Sequence, residues 1–415
     1  MESLVLKPIK YRGVSHSSAK HYTDSTHRLC SPEDTLEKVR PYFNKAGLTR
    51  LSDITGLDRI GIPTIAAVRP ASLTVCTSSG KGMTTAAALT SGAMEGIELF
   101  HAENLTLNEI YMPYNELRKE YNVIPVENLP LTKNSLFNES LPEAWALGWD
   151  IINQCETAVP LLSVTMGRSH LNPSEIVSFQ MGSNGLSSGN NFLEALLSGI
   201  LEVIERDAIA CRTVANRLRG VPLRRVRLET IKSPKALELL DKLNKAQVMP
   251  IIYDFTVDTE IPVYETCLFD LLTRNVGIAK GMGAHLDPEI AMIRAITEAA
   301  QSRLLYIAGS RDDIFKSDSS GFRISDTHQA IEHFDTVPPT IDARQTKSTT
   351  SNSFENDISL CLDKIKQVGL NQVIVLDITK DEFKDISVIR VVIPGLEGYM
   401  FYHYTPGQRA LNFNE

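Results

Sequence analysis

Ser198-Gly199-Ile200-Leu201-Glu202-Val203-Ile204-Glu205, in the middle of the chain, has the form Ser-x-x-x-Glu-x-x-Glu, and Ser91-Gly92-Ala93-Met94-Glu95-Gly96-Ile97-Glu98 has it too. A third segment carries Arg294, Glu298 and Gln301 at the same spacings. Each lies in a long helix-favouring stretch behind glycine punctuation. The first runs from about Thr84 to Asn104 after Ser79-Gly80-Lys81-Gly82, and the second from about Asn191 to Leu218 after a glycine-rich turn over Gly182 to Asn190. The third runs from Pro288 to about Ala308 after Gly281-Met282-Gly283. Carboxylates three residues apart project from one side of a helix. That side is partly apolar here, because the first pair is embedded in Ala, Met, Ile, Leu and Phe and the second in Ile, Leu and Val. An unpaired buried acid is costly, so these glutamates need something that compensates their charge. Any one pair alone reads as a solvated helix face; the threefold recurrence favours a shared site.

Outward from these units, Ser31-Pro32-Glu33-Asp34 opens a helix with a hydroxyl cap, an early proline and acids near the positive end. Its apolar pattern continues through Leu36, Val39 and Phe43 to Gly47. Ile65 to Cys76 is β-rich, Asn108 to Ser163 reads as strand and loop, and Leu228 to Gln247 looks helical. Alternating apolar residues near Pro250 to Asp254 and Ile261 to Ile278 predict strands. The end of the chain carries a helix near Ile358 to Val368 and strands at Gln372 to Asp377 and Val388 to Pro394. Between them, Gly309 to Asp357 is rich in Ser, Thr and Asp and includes Gln345-Thr346-Lys347-Ser348-Thr349-Thr350-Ser351, which predicts a flexible connection or mobile loop. Periodicity alone establishes mixed α and β structure.

Composition narrows the function classes. The chain has 415 residues, with 42 Lys+Arg against 50 Asp+Glu and a net charge of −8. A pI near 5.7 leaves no basic footprint for duplex nucleic acid, although a local cationic patch still suits a phosphate ligand. No stretch has the apolar length of a membrane span, and no secretory signal is visible at the N-terminus. Six scattered cysteines, with no C-x-x-C and no zinc spacing, read as reduced thiols of a cytoplasmic protein.

Four carboxylates from two helices suit hard divalent cations such as Mg2+, which take oxygen ligands alongside substrate phosphates. Gly80-Lys81-Gly82 and Ser187-Ser188-Gly189-Asn190 read as turns offering backbone N–H groups, with Lys81, Ser187, Asn190 and Arg206 as side-chain donors. Neither segment matches a P-loop or a dinucleotide fingerprint, so the expected site is an unusual one for ATP. The bland alternatives are ordinary turn chemistry for Ser187 and Asn190, and a surface ion pair with Asp207 for Arg206.

Taken together, these segments make the chain resemble the YcaO family of ATP-dependent enzymes that modify peptide backbones. The resemblance also rests on Gly56-Leu57-Asp58-Arg59-Ile60-Gly61-Ile62-Pro63, Gly283-Ala284-His285, Asp287-Pro288-Glu289 and Glu298-Ala299-Ala300-Gln301-Ser302-Arg303. Ser310-Arg311-Asp312-Asp313 and Val392-Ile393-Pro394-Gly395-Leu396-Glu397 extend it, in family order. It implies an α+β fold of the YcaO type, with antiparallel sheets and long helices around an ATP cleft in one catalytic unit. Within that unit it implies an N-terminal helical segment (1–60) that contributes to the nucleotide site, an ATP/Mg core (61–308), the polar connection (309–357) and a C-terminal α/β segment (358–415). By resemblance, Glu95, Glu98, Glu202 and Glu205 match Mg2+ ligands. Arg28, Thr35, Lys81, Ser91, Ser187, Asn190 and Arg206 match or neighbour nucleotide-contacting positions. Glu298, Gln301 and Arg303 are the catalytic candidates, with His285 beside them.

The implied chemistry is transfer of the ATP γ-phosphate to a peptide-bond oxygen after a nucleophile has added to that amide, or in concert with it, releasing ADP and phosphate. Azoline-forming members commonly end in a Pro-x-Pro-x-Pro tail, and this sequence ends Leu411-Asn412-Phe413-Asn414-Glu415. That departure, with the Arg390 to Glu397 stretch and Thr405-Pro406-Gly407-Gln408-Arg409-Ala410, is similar to the thioamide-forming members that work with a TfuA partner protein. The expectation is peptide thioamidation with a sulfide donor, a peptide or protein substrate and a homodimer, with an azoline cyclodehydratase or a non-catalytic adaptor as alternatives. Leu99-Phe100 departs from the family, where Arg often follows the first glutamate pair.

Overall fold

In the computed structural model, residues 8–132, 135–167, 178–272, 277–310, 331–332, 334–398 and 404–414 are described. The described chain opens with a hairpin, β1 (Ile9–Tyr11) and β2 (Val14–His16), followed by helix α1 (Pro32–Val39). Ser31 caps α1 as expected, but the helix stops at Val39 because Pro41 has no N–H to extend the ladder; a 3-10 turn, Arg40–Tyr42, follows. Strands β3 (Arg50–Asp53), β4 (Thr64–Val68) and β5 (Thr77–Lys81) form an antiparallel sheet that feeds α2 (Thr85–Glu103). The mixed segment after α2 holds β6 (Glu109–Pro113), α3 (Tyr114–Glu120), β7 (Asn122–Val123), β8 (Pro142–Asp150) and β9 (Cys155–Pro160).

Strand β10 (Leu186–Gly189) leads into the longest helix of the described residues, α4 (Phe192–Arg219). Beyond it come β11 (Arg224–Val226), α5 (Pro234–Lys245), β12 (Val248–Asp254), β13 (Val263–Asp270), β14 (Ala279–Ala284) and α6 (Pro288–Ala308). The remainder is β15 (Pro339–Ile341), α7 (Phe354–Gln367), β16 (Ile374–Asp377), β17 (Ser387–Val392) and the short α8 (Gln408–Asn412). One larger sheet runs β10-β17-β16-β8-β9-β7 with β6 on β8, and another runs β14-β13-β12-β11-β15.

The three aligned units are therefore strand-to-helix units: β5–α2, β10–α4 and β14–α6. Each helix is capped by a side chain of its first turn's leading residue, Thr84, Asn191 or Asp287, which stabilises each by about 1 kcal/mol. The segments read as phosphate-cradling turns are mostly strand, with only Gly82 and Asn190 beyond the ends of β5 and β10. Gly80 lies in β5 and Gly281 in β14, and both let helix backbone lie directly on strand backbone. A Cβ on Gly80 would sit 2.0 Å from Ala88 O, and one on Gly281 would sit 2.1 Å from Ala299 N. These glycines serve helix–strand packing. The turn proper is 183–186, closed by Leu186 N donating to Ser183 O at 2.8 Å, and Gly185 within it adopts φ +79°.

α4 divides the molecule. Its Ile200 and Ile204 pack with Ile389 and Val391 of β17 and with Ile358 and Ile365 of α7. Further along, its Ala208 and Ile209 join the core under β12 and β13. The C-terminal motif is tied to α4: Arg409 pairs with Asp207, Arg219 donates to Leu411 O and Phe413 O, and Glu397 accepts from Gly407 N and Ala410 N. Asp207 thus belongs to Arg409, not to Arg206 as a surface pair.

The connection predicted to be flexible is held in place where it is described. β15 pairs in parallel with β11, and Thr349 N donates to Leu286 O at 3.0 Å. Lys20, with its side chain fully buried, pairs with Asp357 and donates to Thr350 Oγ1 and Ser351 O. Composition anticipated solvation, whereas a distant buried cation organises these hydroxyls. Residues 311–330 and 333 of that connection, including Arg311, Asp312 and Asp313, lie outside the described residues. No helix among the described residues is long and apolar enough to cross a membrane.

Candidate functional site

The three helices bring five glutamates into a row. Glu98 of α2 accepts from Ser188 Oγ at 2.6 Å and interacts with Glu95 on its own helix and with Glu202 of α4. Glu202 accepts from Gly185 N at 3.3 Å and interacts with Glu205 and Arg206. Glu205, 2% exposed, accepts from Ala284 N at 2.8 Å, lies 3.9 Å from Arg294 and interacts with Glu298 of α6. Glu298 closes the row, paired with Lys81 at 2.8 Å and accepting from Met282 N at 3.2 Å. Backbone donors of β14 and of the 183–186 turn thus point at carboxylates, the reverse of an N–H cradle waiting for phosphate.

The electrostatics follow from this crowding. Burial pushes the Glu98 carboxyl up to about 8, against the Ser188 hydrogen bond and with help from Glu202 and Glu95. Burial also raises Glu202 and Glu205, with Arg206 opposing in both cases. At Glu298 burial pushes the same way, but Lys81, Arg206 and Arg294 outweigh it and hold the carboxyl below its ordinary range. No group of three or more His, Cys, Asp or Glu among the described residues is already arranged to hold a metal ion. The expected set of Glu95, Glu98, Glu202 and Glu205 is thus brought together as a row. Its donors are all hard oxygens, and burial together with the neighbouring carboxylates raises Glu98, Glu202 and Glu205. That donor chemistry fits a divalent, oxygen-seeking cation.

A second polar cluster lies along the same face of α4, one to two turns before Glu202. Arg28 donates to Ser198 Oγ at 2.9 Å and lies 3.6 Å from Glu194. Asn190 donates to Thr35 Oγ1 at 3.0 Å and accepts from Lys38 Nζ at 3.2 Å. Arg28, Thr35 and Asn190 therefore meet, as the sequence anticipates. Glu194 and Lys38 complete the cluster and were not anticipated. Glu194 lies four residues before Ser198 and eight before Glu202, so helical spacing was the signal that marks it.

Other expected residues are placed differently. The buried Ser187 hydroxyl donates to Ala195 O on α4 at 2.9 Å, and its neighbour Ser188 reaches the carboxylates instead. Ser91 is half-buried on α2, one turn before Glu95. Gln301 donates to Ser79 Oγ at 2.8 Å, joining α6 to β5. Arg303 lies about 140° around α6 from Glu298. There it bridges Asp58 at 3.0 Å and Asp270 at 2.7 Å, and Arg59 shares Asp270. These are buried structural ion pairs, so Arg303 as placed does not reach the row. His285 is buried edge-on to His27, and its Nδ1 accepts from Asp287 N; burial pushes its ring well below the ordinary imidazole range.

The family model described as YcaO cyclodehydratase, ATP- and Mg2+-binding, matches residues 79–397. The chain belongs to the YcaO family. The match takes in every member of the carboxylate row and ends at Glu397, the anchor of the C-terminal motif. The family's cofactors, ATP and Mg2+, accord with the donor set described above. An uncharacterised protein of Methanothermobacter thermautotrophicus is 33% identical over 88% of this chain and 94% of its own length. An uncharacterised protein of Rhizobium leguminosarum bv. trifolii, encoded in the tfuA 3' region, is 30% identical over 95% of this chain and 94% of its own. Among solved structures, a heterocyclase in complex with substrate and cofactor superposes with a TM-score of 0.80 at 22% identity, over 98% of this chain and 57% of the heterocyclase. The YcaO from Methanopyrus kandleri bound with AMPPCP and Mg2+ superposes with a TM-score of 0.71 at 22% identity, over 92% of this chain and 96% of that protein. The YcaO fold, with long helices on antiparallel sheets, is the architecture expected from the sequence.

Proposed function

We propose that this YcaO protein is a peptide-backbone thioamide synthase. It takes a peptide amide, ATP and sulfide to a thioamide, ADP and phosphate: sulfur bonds to the amide carbon, and the amide oxygen leaves carrying the γ-phosphoryl group. An amide oxygen is a poor leaving group, and phosphorylation makes it a good one. The observation that carries the reading is the row from Glu95 to Glu298, five carboxylates on three helices beside Lys81, Arg206 and Arg294. Mg2+ bound there would supply charge neutralisation for the triphosphate.

The chain's own residues do the rest. Glu95, Glu98, Glu202 and Glu205 hold the cation, while Lys81, Arg206 and Arg294 face the phosphate charge. Arg28, Thr35, Asn190 and Glu194 bind the remainder of the nucleotide. Ser187 supports α4 behind it, and Ser91 lies on the α2 face that leads to Glu95. Glu298 couples the phosphate-facing cations to α6, and Gln301 fixes α6 to β5. The choice of sulfur over ring closure is supported by the likeness to the protein of the tfuA 3' region, which also points to a TfuA-type partner for sulfide or substrate delivery. A homodimer belongs to the same proposal.

The deciding experiment is the intact mass of candidate peptides after incubation with Mg-ATP and sulfide, with and without a TfuA-type protein. A gain matching oxygen replaced by sulfur is expected. Loss of one water without sulfur would make the protein an azoline-forming cyclodehydratase. Absence of ATP turnover under every condition would make it a binding adaptor.

A further inference from the structure

Arg390 of β17 is 2% exposed, yet not all of its nitrogens are paired. Nε donates to Ser163 O at 2.8 Å and Nη2 to Gly182 O, while Nη1 is buried with no acceptor among the described residues. An unpaired N–H on a buried guanidinium is rare in native proteins and calls for a partner. A second buried atom on the same turn is also unpaired: Asn184 Oδ1 has no donor among the described residues. The turn that carries it is fastened on both sides. Gly182 O receives Arg390, Gly185 O accepts from Val391 N at 2.8 Å, and Gly185 N donates to Glu202. Arg390 interacts with the Glu202 charge, and burial pushes its guanidinium down to about 10, so it remains cationic at neutral pH.

Resting on the ATP-dependent amide chemistry above, we propose that Arg390 Nη1 and Asn184 Oδ1 form a subsite for one extended residue of the peptide substrate, the arginine donating to its carbonyl oxygen and the asparagine accepting from its N–H. An extended residue presents its own N–H and C=O on the same edge, as strands do when they exchange both bonds. The two unpaired atoms supply the complement of that edge. The neighbouring Glu202 brings the bound carbonyl oxygen to the middle of the carboxylate row, where the phosphoryl group is received. A charge-assisted donor on that oxygen stabilises the negative charge that develops as a nucleophile adds to its carbon. The turn lies at the surface, with Ser183 exposed and Asn184 half-buried.

The test is saturation-transfer NMR with acetyl-triglycine N-methylamide, run with and without Mg2+ and a non-hydrolysable ATP analogue. Saturable binding to the wild type is expected, weakened about 10-fold in Asn184→Ala and in Arg390→Lys, with affinity for the ATP analogue changed less than about 2-fold. A depsipeptide version, with an ester in place of the central amide, should bind the wild type more weakly and bind Asn184→Ala as the amide does. No saturable binding to the wild type, undiminished peptide binding by Asn184→Ala, or a parallel loss of nucleotide binding would overturn the subsite. Asn184→Ala leaves the buried guanidinium in place, so it reports even if Arg390→Lys fails to fold. Peptide binding without any binding of the ATP analogue would instead overturn the ATP reading and leave the subsite standing.

Discussion

Replacing Glu98 by glutamine removes a charge that burial opposes, and the structure sets the size of the effect. Burial raises the carboxyl from 4.5 to about 8, so without cation and nucleotide the folded protein binds this proton far more tightly than the unfolded chain does. Because the native state carries more protons between those values, stability contributed by the neutral form is fully present below about pH 4.5 and falls as pH rises, until the group ionises in the fold near 8. At pH 7 the span is roughly 2.5 pH units, and at ~1.4 kcal/mol per unit it amounts to about 3 kcal/mol. Glutamine keeps an acceptor for Ser188 and carries no charge, so Glu98→Gln should be more stable than the wild type by about 3 kcal/mol at pH 7 and by almost nothing at pH 4. The assay is urea denaturation of both proteins between pH 4 and 9, without Mg2+ or nucleotide. The same variant should lose Mg2+-dependent ATP turnover. A stability difference that does not change with pH, or a variant less stable at pH 7, would refute the reasoning.

Two further outcomes follow from the packing. Arg303→Met should cost about 3 kcal/mol by removing the guanidinium that bridges the buried Asp58 and Asp270, measured as a lowered urea midpoint; the folded variant should keep its affinity for ATP. If turnover vanished while the midpoint stayed, Arg303 would belong to the chemistry after all. Gly281→Ala should cost about 3 kcal/mol, because the new Cβ at 2.1 Å from Ala299 N forces α6 off β14. A midpoint matching the wild type would show that glycine is not required there.

Sequence alone settled what is local. The i, i+3 spacing of the glutamates is a property of one helix, and the helix ends at Thr84, Asn191 and Asp287 are marked by side chains within a turn of their targets. The meeting of Arg28, Thr35 and Asn190 was also legible, through the family resemblance rather than through spacing. Tertiary structure decided what depends on distant partners. Glycines at 80 and 281 have the same composition in a turn as in a strand, and only the helix lying on them tells which they form. Arg303 stands near Glu298 in sequence, yet Asp58 and Asp270, far away in the chain, claim its guanidinium. Thr350 and Ser351 read as solvated until the buried Lys20, more than three hundred residues earlier, organises them with Asp357. The carboxylates followed the same division. Their chemistry was written in the helices, but the row from Glu95 to Glu298, and the desolvation that raises Glu98, exist only once three helices close on one another.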